Sequence, residues 1–230
     1  MIIEYLYSDV ADLYGDSFNV EYLAECCENT EIIRTEFNQE PYFVKHHVDL
    51  IYMGSMMERY QQKIIEQLKP YKEKLQELIE NNTFFLITGN ALEIFGEKID
   101  DIEGIGLFDF YAQRDFSHHH NSCFLGNFNN IKIVGFKSLF SNSSPCDKYF
   151  INVEKGYGFK NSDHEGIKYR NFYATYLIGP LLILNPLFTE YLLKEMGVNY
   201  NLKYREDLIN AYEIRLEEYM SYKEFKEFKH

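Results

Sequence analysis

Apolar positions in the first half of the chain fall into short, mostly apolar runs separated by polar stretches. Residues 2–7, 48–53 and 83–88 are such runs, each closed by a turn-forming residue or a small one. A run of this length without alternation predicts a strand buried on both faces. Residues 31–37 alternate and predict a further strand, and residues 20–27 suit a helix. Between 57 and 81, Ile64, Ile65, Leu68, Leu75, Leu78 and Ile79 recur at helical spacing with Glu and Lys between them. That spacing predicts an amphipathic helix, which Pro70 should kink or split. Strand, helix, strand in this rhythm predicts parallel βαβ units.

The pattern changes after residue 96. Residues 105–111, 123–128, 131–136, 167–172 and 173–177 are short strand candidates, set among segments rich in Asn, Ser, Gly and Asp. Asn185-Pro186 should open a helix running to Met196. Residues 203–229 form a charged helix with Leu208, Tyr212, Leu216 and Tyr219 on one stripe. The expected architecture is α/β, a flavodoxin-like, mostly parallel central sheet flanked by helices. Antiparallel additions belong to the second half, followed by a C-terminal helix. The expected division is residues 1–196 as the main domain and 197–230 as a helical extension. The stripe on that extension either folds back onto the domain or serves a homo-oligomer.

Composition narrows the function. The formal net charge is −13, with 36 acidic against 23 basic residues. Phosphate neutralisation needs a basic face, so nucleic acid and anionic membrane are excluded as main partners. No apolar run approaches the ~20 residues of a membrane span. Cys26, Cys27, Cys123 and Cys146 show no metal-type spacing and read as reduced thiols of a cytoplasmic protein. His118-His119-His120 reads as a polar surface loop, because consecutive residues converge poorly on one ion without other ligands. Asp163-His164-Glu165 also reads as a solvated loop, and His46-His47 has no partner spacing. No metal and no cofactor are expected.

Two loops carry the candidate chemistry. Met53-Gly54-Ser55 and Thr88-Gly89-Asn90 each follow a buried strand. In an open parallel sheet, ligands bind beyond the carboxyl ends of the strands. A strand, sharp turn and helix at the second loop is the geometry that exposes a nucleophile. On these residues alone, two tight βα turns without a ligand remain the simpler reading.

A family resemblance alters that balance. Leu86-Ile87-Thr88-Gly89-Asn90-Ala91-Leu92-Glu93-Ile94-Phe95-Gly96 resembles the nucleophile elbow of class I (triad-type) glutamine amidotransferases. The branch is the cobyric acid synthase type, which includes the glutaminase subunit of lipid II isoglutaminyl synthase. Other segments follow in the family's order. They are Asp12-Leu13-Tyr14-Gly15-Asp16 with Asn19-Val20, residues 51–61 with Gly54 and Arg59, Gly104-Ile105-Gly106-Leu107-Phe108-Asp109, Ile133-Val134-Gly135-Phe136, and Gly156-Tyr157-Gly158. The last is Thr175-Tyr176-Leu177-Ile178-Gly179-Pro180-Leu181-Leu182 with Asn185-Pro186. The resemblance implies a flavodoxin-like fold and places Gly89 on the nucleophilic Cys and Ile178 on the catalytic His.

Neither residue can do that chemistry. The family's thiolate attacks the glutamine amide, and its His takes and returns the proton. Gly89 has no side chain and Ile178 has no titratable atom. Thr88 lies one position early, on the opposite face of its strand. Lys137-Ser138-Leu139 and Ser55-Met56-Met57 also depart from the family pattern. No catalytic residue is therefore expected, and the binding candidates are Gly54, Ser55, Arg59 and Asn90. The resemblance implies a catalytically degenerate amidotransferase-like protein, a non-hydrolysing binding or regulatory subunit beside a Mur ligase-like or other synthetase chain. Two alternatives stay open. One is an enzyme of another class using the same pocket through Glu93, Asp109 or Arg59. The other is a working amidotransferase in cobyrate or cell-wall precursor amidation.

Overall fold

A computed structural model of the chain describes residues 1–228. The long apolar runs become neighbouring strands. β1 (Ile2–Leu6), β2 (Glu31–Thr35), β3 (Leu50–Met53), β4 (Phe84–Thr88) and β13 (Phe172–Thr175) lie parallel in the order β2-β1-β3-β4-β13. Side chains alternate across this sheet. Ile51, Met53, Phe85 and Ile87 enter one core with Ile64, Leu68, Leu75 and Ile79 of the helices over that face. Leu50, Tyr52, Phe84 and Leu86 enter a second core with Val20, Leu23, Phe188 and Leu192. Burial on both faces is why β3, β4 and β13 read as apolar runs without alternation.

The helix of residues 57–81 divides as Pro70 requires. α2 (Glu58–Leu68) and α3 (Lys72–Glu80) are separated by a 3-10 turn at Lys69–Tyr71. That face of the sheet carries α2 and α3. The other carries α1 (Ser17–Cys26), α4 (Leu181–Leu184) and α5 (Pro186–Glu195).

Beyond β13 the same sheet continues antiparallel through β12 (His164–Tyr169), β11 (Tyr149–Lys155), β8 (His120–Phe128) and β9 (Ile131–Leu139). A second sheet joins β10 (Ser141–Ser143), β7 (Tyr111–Arg114), β5 (Lys98–Ile99) and β6 (Ile102–Glu103). Three expectations need correction here. Residues 105–110 form no strand, and the chain enters β7 only at Tyr111. Asp163-His164-Glu165 is not a solvated loop, because His164 and Glu165 open β12 and Glu165 is fully buried. The last helix, α6, spans Arg205–Ser221 and ends before the expected stretch does, while Lys229 lies outside the described residues.

The stripe on α6 packs against its own domain. Tyr212 closes over Leu125 of β8 and Val134 of β9, flanked by Leu216, Tyr219 and Phe225, and its hydroxyl donates to the Lys132 carbonyl at 2.8 Å. Lys155 donates to the carbonyls of Tyr219, Met220 and Tyr222, placing a cation at the negative end of the helix. Among the described residues, no helix is long and apolar enough to cross a membrane.

Candidate functional site at the strand ends

Asp16, Asn19, Gly54, Ser55, Gly89, Ile178 and Gly179, from motifs far apart in the sequence, meet at the carboxyl ends of β1, β3 and β4. The loop after β1 is tied by Tyr5, whose hydroxyl donates to the Ala11 carbonyl at 2.7 Å. Asn19 reaches across to Tyr52 at 2.9 Å and to the Gly179 carbonyl at 3.1 Å, and its carbonyl accepts from Leu182 N–H at 2.9 Å. Asn185 accepts from and donates to the backbone of Val134 at 2.8 and 2.9 Å. Gly54 is needed because a Cβ there would lie 2.6 Å from both the Ala11 carbonyl and the Asp16 side chain. This meeting point lies beside the crossover between β1 and β3, where open α/β sheets leave a crevice for ligands.

At the end of β4 the chain turns sharply. Gly89 has φ +63°, in the left-handed region, and leads into a 3-10 helix, Gly89–Phe95. A Cβ on Gly89 would collide with Ser55 Oγ, stand 2.8 Å from Ser55 Cβ and stand 3.3 Å from Ile178 Cγ2. Gly89, Ser55 and Ile178, which the sequence resemblance singled out, therefore converge on one point. The Ser55 hydroxyl fills the space that a side chain at Gly89 would take. It is buried, with no hydrogen-bond partner by geometry. Ile178 presents only hydrocarbon to the same point.

Two backbone donors of the β3 loop are already used. Ser55 N–H donates to Asp16 Oδ2 at 3.0 Å, and Met56 N–H donates to Asn90 Oδ1 at 3.0 Å. The Asn90 amide returns a bond to the Met56 carbonyl at 2.7 Å. The two amides of the β3 loop that could face a substrate oxygen are thus satisfied by side chains. Burial raises the Asp16 carboxyl to about 6, against the pull of the bond from Ser55 N–H. Thr88 Oγ1 lies 2.9 Å from the Tyr52 hydroxyl, beneath the turn.

A cleft of about 210 Å³ opens beside Ser55 and Asn90, walled by Tyr14, Met57, His119 and Phe140. Gly54, Ser55 and Asn90 are together at this site. Arg59 is not with them, since it lies over the Tyr60 ring and lines an adjacent cleft with Gln62, Ile102 and Phe116. None of the four free cysteines lines the cleft at Ser55. Burial pushes the Cys27 thiol up to about 11 and raises those of Cys26 and Cys146, so all three stay protonated near neutral pH.

The residues offered for other chemistry do not converge either. Glu93 is fully buried and accepts from Gln61 at 2.8 Å, from Tyr176 at 2.9 Å and from Ser141. Burial raises its carboxyl above the usual range. Asp109 is exposed. Sequence reasoning missed the ion pair of Lys137 and Glu165, 3.4 Å apart and both buried. Lys137 also donates to the Tyr157 carbonyl at 2.8 Å, and burial lowers its ammonium below the usual range. A second cleft of about 450 Å³ lies over Lys137, with Arg114, His118, His120 and Tyr157 on its walls. The only signal for it in the sequence was the replacement at Lys137 itself, because its partner comes from a strand read as a loop.

Two curated relatives match most of the chain. The Staphylococcus aureus (strain N315) lipid II isoglutaminyl synthase (glutamine-hydrolysing) subunit GatD is 27% identical over 203 residues, covering 85% of this chain and 84% of that protein. The chain is glutamine amidotransferase-like. Its resemblance to the GatD branch extends to the Streptococcus pneumoniae (strain ATCC BAA-255 / R6) subunit of the same name, 25% identical and covering 90% of this chain and 86% of that one. Solved structures agree on the amidotransferase-like fold. PurLQS from Thermotoga maritima aligns with a TM-score of 0.55 at 10% identity, over 94% of this chain and 98% of that one. A glutamine amidotransferase aligns with the same TM-score at 10% identity, over 85% of this chain and 99% of that one. No family model matches the chain.

Proposed function

We propose that this GatD-like chain is a non-hydrolysing subunit, keeping the amidotransferase scaffold as a binding or regulatory partner of a synthetase in cell-wall precursor amidation. The observation that carries the proposal is the convergence of Gly89, Ser55 and Ile178. The point from which the family's reaction is launched holds a buried hydroxyl and a methyl group in place of a thiol and an imidazole. Covalent catalysis needs a nucleophile and a base within hydrogen-bond reach. An oxyanion needs free donors, whereas Ser55 and Met56 N–H are bonded to Asp16 and Asn90.

The synthetase partner, of Mur ligase type, is supported by the word subunit in the names of both relatives. Those names also say glutamine-hydrolysing, and this chain is the one proposed to have lost that step. The test is ammonia release from glutamine, measured for the chain alone and for the chain with the synthetase subunit of the same cell. The expected outcome is ammonia at the level of a heat-inactivated control in both cases, with a stable complex in the second. Turnover in either case would overturn the non-hydrolysing reading.

A further inference from the structure

The His118-His119-His120 triplet gains a carboxylate that the sequence places more than a hundred residues away. β8 begins at His120, and His118 and His120 turn to one side while His119 turns to the other. His119 stacks on Phe140 and meets Ser138 Oγ at 2.9 Å. His118 and His120 face the end of the chain. The segment after α6 folds back along β8, where Phe228 N–H donates to the Asn121 carbonyl at 2.8 Å and the Phe228 ring stacks on Phe136. That fold brings Glu227 Oε1 to 2.5 Å from His118 Nε2 and 3.0 Å from His120 Nδ1. One donor atom from each of the three residues lies within 4.8 Å of the others.

We propose that His118, His120 and Glu227 bind one divalent cation of the zinc class, pinning the C-terminal segment to β8 at the rim of the cleft over Lys137. Two imidazoles and one carboxylate suit zinc, cobalt or nickel and suit magnesium poorly. Zinc bonds of about 2.0–2.1 Å in a tetrahedron separate the ligand atoms by roughly 3.3 Å, so each imidazole needs to move from the Glu227 oxygen by less than about 1 Å. The other nitrogen of His120 meets Ser122 Oγ at 2.8 Å, the kind of outer partner that fixes a ligating ring. His118 and His120 line the cleft, so the remaining coordination position opens toward it.

The experiment uses the full chain, free of any affinity tag and stripped with a chelator. Zinc chloride is titrated by calorimetry, with magnesium chloride as the control. One zinc should bind per chain, and magnesium should give no comparable heat. His120→Ala and Glu227→Gln should each weaken zinc binding by at least about tenfold, the lower end of what loss of even an outer partner costs. His46→Ala should leave it unchanged. Zinc should raise the melting temperature of the wild type and not that of Glu227→Gln, whose fold is checked by circular dichroism. No saturable zinc binding, or binding equally tight in both ligand variants, would overturn the proposal and leave an ion pair between Glu227 and the two rings.

Discussion

Gly89 is where sequence and geometry can be tested against each other most sharply. Its φ of +63° lies where most side chains adopt a conformation only under strain, and the space its Cβ would need is taken by Ser55. Strain and overpacking each cost about 1–3 kcal/mol, so Gly89→Cys should lose about 2–6 kcal/mol in urea unfolding. Adding Ser55→Gly should restore part of that loss, because it removes the colliding atoms. A double variant no more stable than Gly89→Cys would show that the collision is not the cause. Asp16 gives a second test. Burial raises its folded-state pKa to about 6 from 3.8, so as pH rises the unfolded chain ionises first. Stability should therefore fall between pH 4 and pH 6, by up to roughly 3 kcal/mol, and level off above. Asp16→Asn should lack that fall, and an unchanging difference between the two proteins across this window would contradict it. The approach of Gly89 to Ile178 was legible from the order of the motifs. The orientation of Ser55, and the meeting of Lys137 with Glu165, were not, because each depends on which strands become neighbours. That pair supplies a third test. Lys137→Met leaves Glu165 buried without its cation and should cost about 3–5 kcal/mol, whereas Lys137→Met with Glu165→Gln should cost clearly less. Equal costs would mean the pair is not coupled.

Among the elements, the parallel strands and the helix broken at Pro70 were legible because burial on both faces and helical periodicity leave strong local patterns. The antiparallel half was legible in part: β8, β9 and β12 fall on the strand candidates 123–128, 131–136 and 167–172, whereas β11 and β10 were missed and β7 was met only at Tyr111. β11, β7 and β10 are short or carry Asn, Ser, Lys and Gln at many positions, and they pair through contacts distant in sequence. The apolar stripe of residues 208–219 was legible, but what it faces was not. It lies against Leu125 and Val134, and it takes in Phe225 from the segment beyond the helix. Tyr212→Ala should therefore cost about 3–5 kcal/mol, the range for emptying an aromatic site. Unfolding by urea measures this, and a loss below about 1 kcal/mol would mean the stripe is free to dock elsewhere. A chain ending at Asn201 should expose Leu125 and Val134 and associate more readily, read by light scattering.

For the whole molecule, the strand order β2-β1-β3-β4-β13 gathers loops from both ends of the chain at one edge, and it does so whether or not chemistry remains there. Asn19 bonded to Gly179 and Asn185 bonded to Val134 hold that edge by side-chain to backbone contacts that need no thiol. Under the proposed function, these contacts let the chain keep the motifs of an amidotransferase without a nucleophile and a base at the turn. A glutamine-like diazoketone tests that separation of scaffold from chemistry, since it alkylates a competent nucleophile in the glutamine site once per molecule. After treatment, the intact mass of the full chain should be unchanged, with and without its synthetase partner. A stoichiometric mass increase, mapped to any residue at the cleft beside Ser55, would contradict it.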